Sequence, residues 1–174
     1  EMAARIYDAI WTVPVGPPNA RLSVAVVEPG TFRLEHDLKI EPQGKRNLLT
    51  VKFRAEKIAG PAQGPPKGTI LLLHGVMMSK ETMLHWALRL AQAGYRTVLV
   101  DLRGHGHSTG RWITYGAVEA ADLSQVLDDL ERRGQLAGRL GVLGNSYGAA
   151  MALQLAARDA RVVQRALGAL EQPL

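Results

Sequence analysis

Residues 140–156 read LGVLGNSYGAAMALQLA, and the corner Gly144-Asn145-Ser146-Tyr147-Gly148 inside this stretch decides the fold. Leu140–Leu143 is an apolar run of buried-strand length, and Ser146–Arg158 has helical spacing. A strand that turns straight into a helix forces its corner residue into a strained backbone and throws that side chain outward. The approaching backbones leave no room for a Cβ two residues to either side, which explains glycine at 144 and 148. Ser146 would stand at a helix N-terminus, where developing negative charge is stabilised. In this context G-x-S-x-G makes Ser146 a candidate nucleophile. The competing reading is a structural Gly/Ser turn.

Further upstream the chain alternates strands and helices. Thr69–Leu73 (TILLL) and Arg96–Val100 (RTVLV) are continuous apolar runs. Helical spacing follows each, over Lys80–Ala93 (ended by Gly94) and Ala117–Arg133. Val162–Leu170 is a candidate fourth strand. Unbroken apolar strands between amphipathic helices predict an α/β fold, a three-layer α/β/α sandwich around a mostly parallel sheet. Right-handed crossovers then gather the strand C-terminal ends on one edge, with the loops His74–Ser79, Asp101–Gly110 and Gly144–Gly148.

Before the Pro/Gly-rich stretch Gly60–Gly68 (GPAQGPPKG) the pattern is different. Leu22–Val27, Thr31–Ile40 and Leu48–Ile58 read as strands of an antiparallel meander, with turns at Pro29-Gly30 and Pro42-Gln43-Gly44. Residues 1–20 read as an irregular lead-in with a short helix over Ala3–Trp11, ahead of one domain over 21–174.

Acyl transfer needs two N–H donors aimed at the developing oxyanion. One is expected from Tyr147, the residue after the serine. The other is expected from the loop His74-Gly75-Val76-Met77, with Val76 the choice and Met77 the fallback. Asp101 and Arg103 are expected to hydrogen-bond neighbouring loops and hold the cleft floor. His105-x-His107 beside Asp101 suggests a metal, but further ligands at suitable spacing are missing, so no metal is expected. Trp112, Tyr115, Met77 and Met78 read either as an apolar acyl pocket or as ordinary packing.

Composition narrows the function classes. With no cysteine, a disulfide, a thiolate metal site and a Cys nucleophile are ruled out. The net charge of +5 is scattered, densest at Lys45-Arg46 and Arg132-Arg133, and reads as a solvated surface, not a nucleic-acid patch. No apolar stretch reaches the ~18 residues of a membrane span. The first twenty residues show no leader pattern. The compartment stays open: cytoplasmic by default, or exported by a leader cleaved before Glu1. Oligomeric state is unreadable.

The runs LLLHG (71–75), GYRTVLVDLRGHGHSTG (94–110), TYGAVEAADL (114–123) and LGVLGNSYGAAMALQLA (140–156) together resemble the α/β-hydrolase superfamily. The nearest branch is the esterase, serine-aminopeptidase-like and dienelactone-hydrolase-like one. The resemblance covers about residues 68–170. It implies a mostly parallel sheet whose second strand is antiparallel, with no cofactor. Ser146 matches the family's nucleophile, Val76 and Tyr147 its oxyanion donors. The family's triad runs Ser, then Asp or Glu, then His. No His follows Ser146, so the acid and the His are expected beyond Leu174, leaving a partial fold and an inactive fragment. Glu171 is an alternative acid, and His105 or His107 an alternative base. The function expected is a serine hydrolase acting on a small-molecule ester, thioester or amide. A non-catalytic scaffold and an acyltransferase or perhydrolase of the same fold are the alternatives.

Overall fold

Successive side chains of a strand face opposite ways, so a run such as TILLL is buried throughout only if both sheet faces are covered. In the computed structural model, which describes residues 6–43, 46–60 and 64–162, they are. In chain order the elements are β1 (Ala9–Val15), β2 (Ala20–Val27), β3 (Thr31–Gln43), β4 (Arg46–Ala59), β5 (Gly68–Leu73), a 3-10 turn (Lys80–Met83) running into α1 (Leu84–Gln92), β6 (Arg96–Val100), α2 (Glu119–Arg132), β7 (Arg139–Gly144) and α3 (Tyr147–Arg158). Leu71, Leu73, Val98 and Val100 pack with Leu123 and Leu127 of α2 and Met151 and Leu155 of α3. Leu72 and Leu99 pack on the other face with Leu84, Ala87 and Leu88 of α1. Fully burying each such leucine contributes roughly 1.5–3 kcal/mol.

The main sheet has the order β1-β2-β6-β5-β7. β5 runs parallel to β6 and β7, while β2 is antiparallel to β6 and to β1. Among the described strands of this sheet, β2 alone therefore runs against the others, as the family resemblance implied.

Two expectations are corrected. First, the lead-in contains strand β1, with no helix over the described part of Ala3–Trp11. Val13 and Val15 point into the core and alternate with exposed Thr12 and Pro14. Pro14 is tolerated because, among the described strands, β1 is hydrogen-bonded on one side only, to β2. Second, the meander is split. Both edges of β2 are taken, by β1 and β6, and among the described strands β3 and β4 pair only with each other, as a separate two-stranded sheet. The base of that hairpin packs Phe32, Leu34, Phe53 and Ala55 against the α1 side of the core. Of the candidate fourth strand Val162–Leu170 only Val162 is described, at the end of a helical turn over Ala160–Val162. The rest of the candidate fourth strand, and Glu171, lie outside the described residues.

Arg132 and Arg133, one of the two dense basic pairs, both bond Asp129, at 2.9 and 2.6 Å, and Arg133 also lies over the Trp11 ring. Among the described residues no helix is long and apolar enough to cross a membrane.

Candidate active site

β7 passes directly into α3, and Ser146 is the corner. Its backbone has φ 51° and ψ −111°, a conformation that L-residues adopt only where the surroundings impose it. The side chain is exposed and does not cap the helix. The two glycines are sterically required. A Cβ on Gly144 would sit 2.2 Å from the Gly148 carbonyl, and one on Gly148 would sit 2.2 Å from the Leu73 carbonyl oxygen. The same close approach brings the loop after β5 to the serine. A Cβ on Gly75 would meet the Asn145 carbonyl oxygen at 3.6 Å and the Ser146 Cβ at 3.8 Å.

That neighbouring loop is oriented by His74, which is fully buried. Its Nε2 lies 3.0 Å from the Leu102 N–H, which can only donate, so Nε2 accepts. The ring proton therefore sits on Nδ1 and donates to the Gly75 carbonyl oxygen at 2.7 Å. Burial, with a smaller push from His105, keeps the ring's pKa below its ordinary value, in keeping with a neutral ring. In a trans peptide the N–H points opposite its C=O. Drawing the Gly75 carbonyl toward His74 thus turns the Val76 N–H to the opposite side. Among the described residues no acceptor is recorded for the N–H of Val76 or of Tyr147.

Asp101 fastens this loop to the next. Its Oδ1 accepts the Lys80 N–H at 2.7 Å, and its Oδ2 accepts the Lys80 ammonium at 2.6 Å and the His107 N–H at 3.0 Å. Burial pushes the Asp101 carboxyl upward, but these bonds outweigh it and hold the pKa below the ordinary value. Arg103 forms a bidentate pair with Asp122 of α2, at 2.7 and 2.8 Å, and donates to the Pro18 carbonyl. Asp101 thus ties its loop to the turn at Lys80, and Arg103 ties the same loop to α2 and to Pro18.

The alternative bases are brought to other partners. His105 is buried, with Nδ1 bonded to the Arg103 carbonyl and its ring between those of His74 and Tyr147. His107 is exposed and lies 3.4 Å from the Lys80 ammonium. Neither hydrogen-bonds the Ser146 hydroxyl. Glu81, Asp101 and His107 cluster within ligand-to-ligand distances, yet the Lys80 ammonium bonds Asp101 and Glu81 and lies beside His107. The cluster is organised around an organic cation.

Sequence reasoning missed Lys80, Glu119 and Asp122. All three are charged residues that are ordinarily solvated, and each is buried here. Lys80 and Asp122 meet partners from other loops, Asp101 and Arg103, whereas Glu119 is held by Thr114 and Gly116 of the loop just before its own helix.

Residues 64–169 match the family model described as serine aminopeptidase, S33. The chain belongs to that family. Its fold is accordingly that of the α/β-hydrolases. Among curated proteins, YqkD of Bacillus subtilis is 34% identical over 85 residues, 49% of this chain and 28% of its own length. ABHD14B of Homo sapiens is 50% identical over 50 residues, 28% of this chain and 24% of its own. Non-heme chloroperoxidase CPO-A1 of Kitasatospora aureofaciens is 36% identical over 72 residues, 41% of this chain and 25% of its own. Among solved structures, the Pyrococcus furiosus esterase Pf2001 superposes with TM-score 0.58 at 21% identity, over 88% of this chain and 48% of that one. An alpha-beta serine hydrolase homologue from Coxiella burnetii gives TM-score 0.58 at 20% identity, over 88% and 59%. The S33-family chain therefore spans about half the length of these structural relatives.

Proposed function

We propose that the protein is a serine hydrolase that cleaves esters, ahead of thioesters and amides, through an acyl-Ser146 intermediate. The observation that carries this reading is the exposed hydroxyl on a strained corner, beside the Gly75 backbone, with the N–H groups of Val76 and Tyr147 unengaged. The Ser146 oxygen bonds to the substrate carbonyl carbon as the carbonyl electrons move to oxygen. The Val76 and Tyr147 N–H groups hold that oxyanion. The serine proton passes to a general base and on to the leaving alcohol as the carbon–oxygen bond breaks. Water then repeats the sequence and releases the acid.

The base and its carboxylate partner come from outside the described residues on this reading. A serine without a base is a weak nucleophile at neutral pH, so the described residues by themselves are expected to turn over poorly.

The test uses the protein expressed from its whole reading frame. A fluorophosphonate probe should label Ser146, and short p-nitrophenyl esters should be hydrolysed. Ser146→Ala should abolish labelling and lower kcat by about 10³-fold or more. Absence of labelling in the parent protein would favour a non-catalytic scaffold. The likeness to a chloroperoxidase supports a second reading, in which peroxide instead of water takes the acyl group. Product analysis separates the two.

A further inference from the structure

Among the described residues three non-glycines have positive φ: Met77 at 58°, Tyr115 at 54° and Ser146 at 51°. They lie in the loops that leave the C-terminal ends of β5, β6 and β7, so the backbone strain is gathered on the edge that carries the serine. A left-handed backbone on a bulky residue is strained and persists only where its surroundings over-determine it.

At Tyr115 they do so from several directions. The Glu119 carboxylate accepts the N–H of Thr114 at 2.6 Å and that of Gly116 at 2.8 Å, one on each side of Tyr115. The Gln154 side chain on α3 donates to the Tyr115 carbonyl oxygen at 2.9 Å. The Tyr115 ring meets the ring of Tyr147, the neighbour of Ser146, edge-on at 5.5 Å between centroids. Even so, Tyr115 remains 70% exposed, and Trp112 and Ile113 on the same loop are exposed as well.

Folding does not ask for this residue, because glycine would adopt the same backbone without strain. A rigid loop that holds an uncovered aromatic face beside a reactive group is how binding surfaces are built.

We propose that Tyr115 is a specificity-determining residue of the Ser146 site, its ring forming the wall against which an apolar, preferentially aryl, acyl group of the substrate lies. This rests on the reading of Ser146 as the acyl-forming nucleophile. An aromatic acyl group gains ring-to-ring contact in addition to apolar burial, whereas an acetyl group is too short to use the wall.

The experiment compares p-nitrophenyl acetate with p-nitrophenyl phenylacetate, so that only the acyl group changes. In the whole-frame protein Tyr115→Ala should lower kcat/KM for phenylacetate by about tenfold relative to acetate, mainly through KM. Tyr115→Phe should retain the parent preference. An unaltered preference in Tyr115→Ala overturns the proposal while leaving the hydrolase reading intact. So does an equal fall for both esters accompanied by a lower Tm, which would mark Tyr115 as a packing residue. Failure of the parent protein to label at Ser146 overturns the hydrolase reading, and this one with it.

Discussion

Asp101 holds Lys80 by both ends: one carboxylate oxygen takes its backbone N–H at 2.7 Å and the other its ammonium at 2.6 Å. Both side chains are almost completely buried. Removing one member of such a pair leaves an uncompensated charge away from water. Asp101→Ala should therefore cost about 3–5 kcal/mol in urea unfolding. Lys80→Met should cost less, about 2 kcal/mol, because Asp101 keeps the N–H donors of Lys80 and His107. Equal costs would show that the ammonium, not the paired backbone donors, dominates.

His74 gives a pH signature. Its folded pKa is depressed below 6.5, chiefly by burial. Between the folded pKa and 6.5 the unfolded chain binds the proton more readily than the folded one. Its contribution to stability is thus complete above about pH 6.5 and is lost as the pH falls below it. Replacing His74 by Gln should flatten that part of the stability curve. Urea midpoints of parent and variant at several pH values measure the difference. Parallel curves would contradict the assignment.

Glu119 titrates in another window. Burial pushes its carboxyl up, but bonds from Thr114 and Gly116 hold it near about 2, against an ordinary 4.5. Its stabilisation should be fully present above about pH 4.5 and lost as the pH falls toward 2. Glu119→Gln should cost about 2 kcal/mol at neutral pH and show a shallower acid transition by circular dichroism.

The elbow glycines are testable by volume alone. Gly148→Ala places a methyl 2.2 Å from the Leu73 carbonyl oxygen, so backbone must move. A cost of about 3 kcal/mol is expected, read as a lower Tm, with a matching loss of Ser146 labelling. Gly134→Ala is the control, since a Cβ there meets nothing within 4 Å, and only its positive φ is strained.

The strands, helices and elbow of the second half were legible because each is encoded locally. Apolar runs separated by helical periodicity, and glycines at fixed spacing about Ser146, depend only on near neighbours in the chain. Strand β1 was misread because three prolines obscured the alternation of Trp11, Val13 and Val15. The splitting of the meander could not be read at all. Whether β2 pairs with β3 or with β6 depends on which edge is already occupied, and β6 lies some seventy residues away (Val27 pairs with Thr97). The buried charges Lys80 and Asp122 belong to the same class, whereas Glu119 is held by Thr114 and Gly116 just before it in the chain. A charge enters a core only where partners meet it, and for Lys80 and Asp122 only the folded chain shows those partners assembled. The sequence by itself determined a serine at a sharp strand-to-helix corner of a mostly parallel sheet. Tertiary structure alone decided which loops are tied to that corner and by which charges, because hydrogen-bond partners far apart in the chain become neighbours only when the sheet is built.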